Sequence, residues 1–395
     1  MGPLEGLRVL DASQMLAGPL CGMRLGDFGA DVIKIEPPLT GEWTRTHPFA
    51  NAHVGGHTTA FLGLNRNKRS VALNLKDADE REAFYRLVET SDVFIQNWRV
   101  GTADRLGVGY EDLRRINPRL VYCSISGYGE SGPYVDRPGQ DLIIQGYSGS
   151  MFSVGAEADP PLPGAIWAAD AMTAYQAGMA ILAALHARER TEVGQKVEVS
   201  MLAVVLDAQS QELVTYLNLG TLPERPDAAS AHAYVTAPYG VYRTSDGWMT
   251  LAQAPLDMLG EALNDDRLRV MTKWSDGMDR RSEVVEILNE LLPQKPTADW
   301  LAVLDEHKLW AGPVYTYADL AADPHVVETG MFTSIEQADV GELRMPAPPV
   351  RFSLTPASVR LPPPRLGEHN DEILSELVDE NRHAPHEPAI TEGAT

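Results

Sequence analysis

Asp170 lies in the stretch from Gly164 to Arg188, GAIWAADAMTAYQAGMAILAALHAR, where it opens a long small-residue helix. Ala171, Met172, Ala174, Ala177, Met179, Ile181, Leu182 and Leu185 follow it, mostly good helix formers with enough apolar residues to bury the helix. An aspartate at such a start accepts hydrogen bonds from the unsatisfied N–H groups of the first turn and sits at the positive end of the dipole. That environment keeps a carboxylate ionised at neutral pH. From this window alone it reads as an N-cap, a residue type among those preferred there. A second chemical feature is a run of cations. Arg66, Lys68, Arg69 and Lys76 fall within residues 61–76, a window without an acid, in a chain of net charge −22. Asn97-Trp98-Arg99 and Arg105 follow beyond a strand end, where open α/β sheets bind ligands. Such a patch is either an anion site or a solvated face.

Other chemistries lack their parts. Gly127-Tyr-Gly129-Glu-Ser-Gly132 matches G-x-G-x-x-G after a strand. Pro133-Tyr134 and a polar loop follow it, however, with no helix to hold a pyrophosphate, so a glycine turn is expected there. His53 and His57 lie in a Gly/Thr loop without a third ligand candidate nearby, and no H-E-x-x-H occurs, so no metal site is expected. Gly146-Tyr-Ser148-Gly149-Ser150 has the wrong glycine spacing for a nucleophile elbow.

The 395 residues, 44% of them hydrophobic, can build two to three domains with sizeable cores. Two cysteines, Cys21 and Cys123, cannot staple such a chain, and no basic segment followed by an apolar run opens it, so a reducing, cytoplasmic setting is expected. The acidic balance argues against nucleic-acid binding. The longest apolar run, residues 177–187, contains His186 and falls short of the roughly 20 residues that span a bilayer.

The elements that must position these residues alternate. Gly6 to Asp11 reads as a strand, Gly18-Pro19 opens a helical segment, and Asp31 to Glu36 is a second strand. Ser70 to Leu75, a helix from about Asp77 to Glu89, Val93 to Gln96 and Leu120 to Ser126 continue the pattern. Strand, helix, strand at this spacing predicts an α/β fold with a mostly parallel, doubly wound sheet. A helical stretch is expected from about Val197 to Leu219, then a linker at Leu222-Pro-Glu-Arg-Pro226. Beyond it Tyr239 to Thr244 and Trp248 to Ala252 read as strands around Ser245-Asp-Gly247. Helical segments near Arg281 to Leu292 and Ala298 to His307 follow. Prolines make Pro346 to Pro364 an extended connection ahead of a last helix.

Segments in this order resemble the family III CoA-transferases, which include formyl-CoA and carnitine CoA-transferases and, as a branch, α-methylacyl-CoA racemase. The matching stretches are residues 3–11, Ala17-Gly18-Pro19, 25–36, 65–70, Lys76, Asn97, 104–107, Asn117-Pro118-Arg119, 127–133, 194–197 and 366–369. The resemblance implies a Rossmann-like large domain over residues 1–221, a smaller α+β middle domain over 222–330 and a C-terminal return over 331–382 completing the large domain, while the terminus itself reads as a disordered tail at 383–395. It also implies an interlocked, ring-shaped homodimer. In that family the acid placed as Asp170 is here is the nucleophile.

The resemblance further implies CoA transfer from a donor acyl-CoA thioester to an acceptor carboxylic acid, through an aspartyl anhydride and an aspartyl-CoA thioester. Coenzyme A enters as a thioester substrate, and no prosthetic group or metal is implied. By the family pattern Gln14 would lie near the thioester, Lys76 and Arg105 near the CoA phosphates, and Asn97 and Trp98 near its pantetheine or adenine part. Arg69 joins them as a cation of the basic window.

Two departures bear on the reaction. The racemase branch carries a proton-transferring His where this chain has Gln140, in Gly139-Gln140-Asp141. A glutamine cannot accept a proton at neutral pH, so acyl transfer is preferred over racemisation of a 2-methylacyl-CoA. The glycine-run loop of formyl-CoA transferase is absent as well, and residues 228–234 occupy that region, which sets aside the formyl/oxalyl pair. A non-catalytic CoA-binding or dinucleotide-binding protein is the alternative of another class.

Overall fold

Six parallel strands form the organising sheet: β1 (Arg8–Asp11), β2 (Asp31–Glu36), β3 (Lys68–Ala72), β4 (Val93–Gln96), β5 (Val121–Ser126) and β6 (Lys196–Ser200). Their spatial order is β3-β2-β1-β4-β5-β6, so the direction of winding reverses between β1 and β4. Alternate residues serve opposite faces, as a strand's period of two requires. Val9, Val32, Val93 and Val121 pack under α1 (Ala17–Asp27), while Leu10, Ile33, Phe94 and Tyr122 pack under α2 (Ala78–Glu89) and α3 (Tyr110–Ile116). The first face also receives α4 (Ala168–Thr191) through Ala174, Ala177, Ile181 and Leu185. The central strands carry apolar residues on both faces because helices cover both.

The computed structural model describes residues 1–220, 222, 225 and 231–383. The chain divides into two compact units. Of the described residues, one holds 1–139, 170–204 and 330–383, and the other holds those within 140–169 and 205–329. The second unit therefore takes in residues 140–169 and begins again at 205, where the sequence suggested a change at 222. Residues 223, 224 and 226 of the expected linker, and the expected tail after His383, lie outside the described residues.

One expected helix is corrected. Val197 to Ser200 are strand, the sixth of the sheet, paired in register with Cys123 to Ser126, and helix resumes only at Met201. The reason lies in Lys196-Val-Glu-Val-Ser200, whose alternating β-branched residues fit a pleated surface.

Close packing of α1 depends on glycine. Gly18, Gly22 and Gly26 recur every fourth residue, and a Cβ at each would stand 2.2 Å from Ser13 Cβ, 2.9 Å from an Asp11 carboxylate oxygen and 2.9 Å from the Asn67 carbonyl oxygen. At the open edge of the sheet, α5 (Asn370–His383) and the residue before it cover β3. The His369 N–H donates to the Ser70 carbonyl, and the Ala72 N–H donates to the Asn370 side chain. Edge strands left unpaired template aggregation, and this cover removes the hazard. The extended return ahead of α5 is fastened by the buried Asn67, whose Oδ1 accepts the Arg360 and Leu361 N–H groups.

In the second unit, Gly240–Arg243, Trp248–Leu251 and Ala311–Pro313 form an antiparallel sheet with the second strand in the centre. Tyr242, Met249 and Leu251 face its core, against Leu259, Val284, Leu288, Trp300 and Leu304 of three helices. Among the described residues no helix is long and apolar enough to cross a membrane.

Candidate active site at the carboxyl edge of the sheet

In an open α/β sheet the strand ends diverge where winding reverses, and ligands bind in the crevice outside the carboxyl ends at that point. Here it lies between β1 and β4. The turn leaving β1, residues 12–16, is fixed from beneath by buried charges. Asp11 is fully buried. One carboxylate oxygen accepts the Ser13 N–H at 3.0 Å and the Ser13 hydroxyl, and the other accepts Lys68 Nζ at 2.8 Å. Lys68 Nζ also donates to the Pro19 carbonyl and to Asn65, each at 2.8 Å, and the buried Lys34 ammonium donates to the Ser13 carbonyl at 2.9 Å. Burial alone would push the Asp11 carboxyl up. The Lys34 and Lys68 charges, with the hydrogen bonds from Lys68 and Ser13, outweigh it and hold the group at about 2. Burial likewise pulls Lys68 down to about 8, against the Asp11 charge.

Above this network the next residues are gripped one by one. Asn97, just past β4, closes on the Gln14 backbone: its Oδ1 accepts the Gln14 N–H at 2.9 Å and its Nδ2 donates to the Gln14 carbonyl at 2.7 Å. Met15 takes a left-handed conformation, φ +68°, and its N–H donates to the buried Glu42 carboxylate at 3.1 Å. Such a conformation costs a non-glycine residue about 1–2 kcal/mol and persists where its surroundings over-determine it.

A cleft of about 200 Å³ opens beside this turn, lined by Gln14, Glu42, Lys76, Trp98 and Thr102 among others. Trp98 leans edge-on against the core residue Phe94, ring centroids 6.3 Å apart, which makes it a rigid apolar wall. Leu73 and Leu75 turn into the core and leave Asn74 and Lys76 outside, so the alternation itself points Lys76 outward at the cleft. Arg105 is exposed on the short helical turn Thr102–Arg105, where its guanidinium donates to Thr102 Oγ1 at 2.8 Å.

The structure therefore brings Gln14, Lys76, Asn97 and Trp98 together, with Arg105 bonded to a lining residue, and separates them from Arg69. The Arg69 guanidinium sits at the start of β3, bonded to Asp31 at 2.6 Å and 3.0 Å and to Glu372 and Glu376 at 2.8 Å and 2.6 Å. Arg66 pairs with the buried Asp27 at 2.8 Å, and Lys68 with Asp11. Three of the four cations in the basic window are thus neutralised inside the first unit, and Lys76 alone reaches the cleft. The sequence expectation of an anion patch over the whole window is narrowed to that one residue.

Asp170 reaches the same edge through its helix. Near the far end of α4 the Arg188 guanidinium donates to the Asp92 carboxylate at 2.8 Å and to the Arg119 carbonyl at 3.1 Å, and the Gly194 N–H donates to the Pro118 carbonyl. Asp92 and Arg119 precede β4 and β5, so this end of α4 is pinned at the amino edge of the sheet. Asp170 lies eighteen residues earlier, about 27 Å along the helix, which exceeds the roughly 20 Å of a six-residue strand. Its first turn therefore stands at the carboxyl edge. α4 begins at Ala168, which makes Asp170 a member of the first turn and not the cap residue expected from the sequence.

Gln140 belongs to the second unit, exposed, in extended backbone just before the helix Asp141–Ser148. The glycine loop ahead of it is a turn: Gly129 and Gly132 have φ of +92° and +89°, and no helix follows Gly132 directly. Gly127 and Gly139 pass so closely that a Cβ on Gly127 would stand 2.6 Å from the Gly139 Cα. Among the described residues no cluster of three or more His, Cys, Asp or Glu is arranged to hold a metal ion.

Sequence reasoning missed Asp11, Lys34 and Glu42. Asp11 directly follows the apolar pair Val9-Leu10, and Lys34 stands between Ile33 and Ile35, and a charge among such neighbours was the available signal. Glu42 gave none, since it sits in a polar loop.

The model for CoA-transferase family III matches residues 4–370 of this chain. A mouse (Mus musculus) protein named succinyl-CoA:glutarate CoA-transferase is 34% identical over 386 residues, covering 96% of this chain and 87% of its own length. An Agrobacterium fabrum protein named succinate–glutarate CoA-transferase is 34% identical over 394 residues, covering 97% of each. The crystal structure of a CaiB/BaiF family protein from Brucella suis superposes with a TM-score of 0.84 at 34% identity, over 95% of this chain and 99% of that one.

Proposed function

The chain belongs to CoA-transferase family III and is an acyl-CoA:carboxylate CoA-transferase, and from that premise we propose that Asp170 is the carboxylate on which the acyl group and then CoA are carried. The observation that carries this is the delivery of Asp170 by α4 to the carboxyl edge of the sheet, where the cleft beside Gln14 and Trp98 opens.

A carboxylate is a weak nucleophile but a serviceable acyl carrier, because it splits one hard transfer into easier ones. The Asp170 oxygen attacks the donor thioester carbonyl, and the C–S bond breaks to release CoA thiolate and leave a mixed anhydride. The thiolate then attacks the aspartyl carbonyl, expels the donor acid and leaves an aspartyl-CoA thioester. The acceptor carboxylate reverses these steps, so Asp170 is regenerated and no water is consumed. Each attack develops an oxyanion. The Gln14 carboxamide lies in the cleft on a backbone already fixed, and a preorganised donor of this kind stabilises such charge. Trp98 offers an apolar surface to pantetheine or adenine, and Lys76 and Arg105 offer charge to the phosphates of CoA.

The named relatives support a dicarboxylic acceptor with succinyl-CoA as donor. A homodimer is supported by Tyr175, Met179 and Leu182, an exposed apolar row at helical spacing on α4. The test is exchange between a panel of acyl-CoA thioesters and dicarboxylates, followed by mass detection of new thioesters. Wild type should form glutaryl-CoA from succinyl-CoA and glutarate, and Asp170→Ala should form none. An active Asp170→Ala enzyme would remove Asp170 from the reaction.

A further inference from the structure

We propose that Asn97 and Glu42 are positioning residues that hold the Gln14–Met15 turn in one conformation, and that the Asn97 side chain acts on Gln14 and not on CoA. The inference rests on the assignment of Gln14 to the reacting thioester. Asn97 spends one acceptor lone pair and one donor on the two peptide units that flank the Gln14 Cα, through the Gln14 N–H and the Gln14 carbonyl. These two bonds leave Gln14 no rotation about its own φ and ψ without breaking one of them. Glu42 fixes the following residue. Its buried carboxylate accepts the Met15 N–H, the Thr44 N–H and the Thr44 hydroxyl, and no cation pairs with it among the described residues. A buried charge is costly unless hydrogen bonds satisfy it, and these tie the turn to the loop at 42–44.

The side chains above are arranged differently. Asn97 is committed to backbone and Glu42 to backbone and the Thr44 hydroxyl, whereas the half-buried Gln14 carboxamide makes no hydrogen bond among the described residues and lines the cleft. The rigid part of the turn thus carries its one uncommitted polar group towards the ligand. Displacement of a catalytic group by about 1 Å can cost on the order of a hundredfold in rate, so the two clamps bear on turnover while leaving the CoA contacts of Lys76 and Trp98 in place.

A double-mutant cycle on the full-length enzyme tests this, with kcat at saturating donor and acceptor and the Kd of free coenzyme A from calorimetry. Gln14→Ala and Asn97→Ala should each lower kcat by about tenfold or more, and the double variant should be no slower than Gln14→Ala within about twofold, since residues acting as a unit are non-additive. The Kd for CoA in Asn97→Ala should stay within about twofold of wild type. Losses that multiply, or a tenfold weaker Kd for CoA in Asn97→Ala, would overturn the proposal and assign the Asn97 carboxamide to CoA. Full turnover in Gln14→Ala would overturn the assignment of Gln14 itself, and this proposal with it. Should circular dichroism show Asn97→Ala unfolded, the kcat cycle with Glu42→Ala carries the test from the other clamp: a double variant no slower than Gln14→Ala within about twofold is expected, and losses that multiply would overturn the proposal.

Discussion

Arg188 Nη2 lies 2.8 Å from the Asp92 carboxylate, and that ion pair sets which end of α4 stands at the amino edge of the sheet. The helix is long and small-residue-rich, so nothing in its own composition fixes its height against the strands. Arg188 does, by bonding both a carboxylate ahead of β4 and a carbonyl ahead of β5.

Replacing Arg188 by Ala should therefore act on stability more than on chemistry. The side chain is only 5% exposed, and breaking such a pair leaves Asp92 with the Arg8 N–H alone. A loss of about 2–4 kcal/mol in urea unfolding is expected, with the kcat of the folded enzyme reduced far less than in Asp170→Ala.

Stability should also fall at low pH through Asp11. Its folded value of about 2 lies below the ordinary 3.8, so its contribution is complete above about pH 4 and is lost as pH falls through 2. The shift corresponds to about 2 kcal/mol. Urea unfolding of wild type and Asp11→Asn at pH 6 and pH 2.5 checks the sign: the gap between them should narrow in acid.

A methyl group at position 18 should be costly. In Gly18→Ala the new Cβ meets Ser13 Cβ at 2.2 Å, and Ser13 is bonded to Asp11 and precedes Gln14. Overpacking of this kind costs about 1–3 kcal/mol. Thermal unfolding and kcat should fall together, because the displaced residue belongs to the turn that carries Gln14.

Lys76 and Arg69, which look alike in the sequence, should separate in experiment. Lys76→Ala should weaken CoA binding by about tenfold, the equivalent of one charge-assisted contact, and leave unfolding unchanged. Arg69→Ala should lower stability by about 1–2 kcal/mol by releasing Glu372 and Glu376 of α5, with little change in the calorimetric Kd for CoA.

How much was legible follows from these residues. The parallel sheet could be read from apolar runs alternating with helical segments, and α1 from Gly18-Pro19. The strand at Val197 to Ser200 runs straight into the helix at Met201, so its short β-branched alternation is masked by the helical stretch beyond it, and its pairing with β5 separates the two. The cations of residues 61–76 were visible, but the acids that neutralise them were not: Asp27 lies 39 residues from Arg66, Asp11 57 from Lys68 and Asp31 38 from Arg69. Lys76 survives as a ligand candidate because Leu73 and Leu75 turn it outward. Asp170 was identifiable as an acid at the head of a helix, whereas its place at the carboxyl edge depends on Arg188, Asp92 and Arg119, which no local pattern links. Residues 140–169 gave no sign that they group with the second unit, since contacts rather than composition define it.

The central claim is that Asp170 carries the transferred group covalently, and trapping tests it most directly. Enzyme turning over succinyl-CoA and glutarate is quenched with hydroxylamine, digested and sequenced by mass spectrometry. An anhydride or thioester on Asp170 is predicted to yield a hydroxamate at that residue, dependent on succinyl-CoA and absent from Asp170→Ala. An unmodified Asp170 peptide from enzyme that is demonstrably turning over, together with retained activity in Asp170→Ala, would contradict the account.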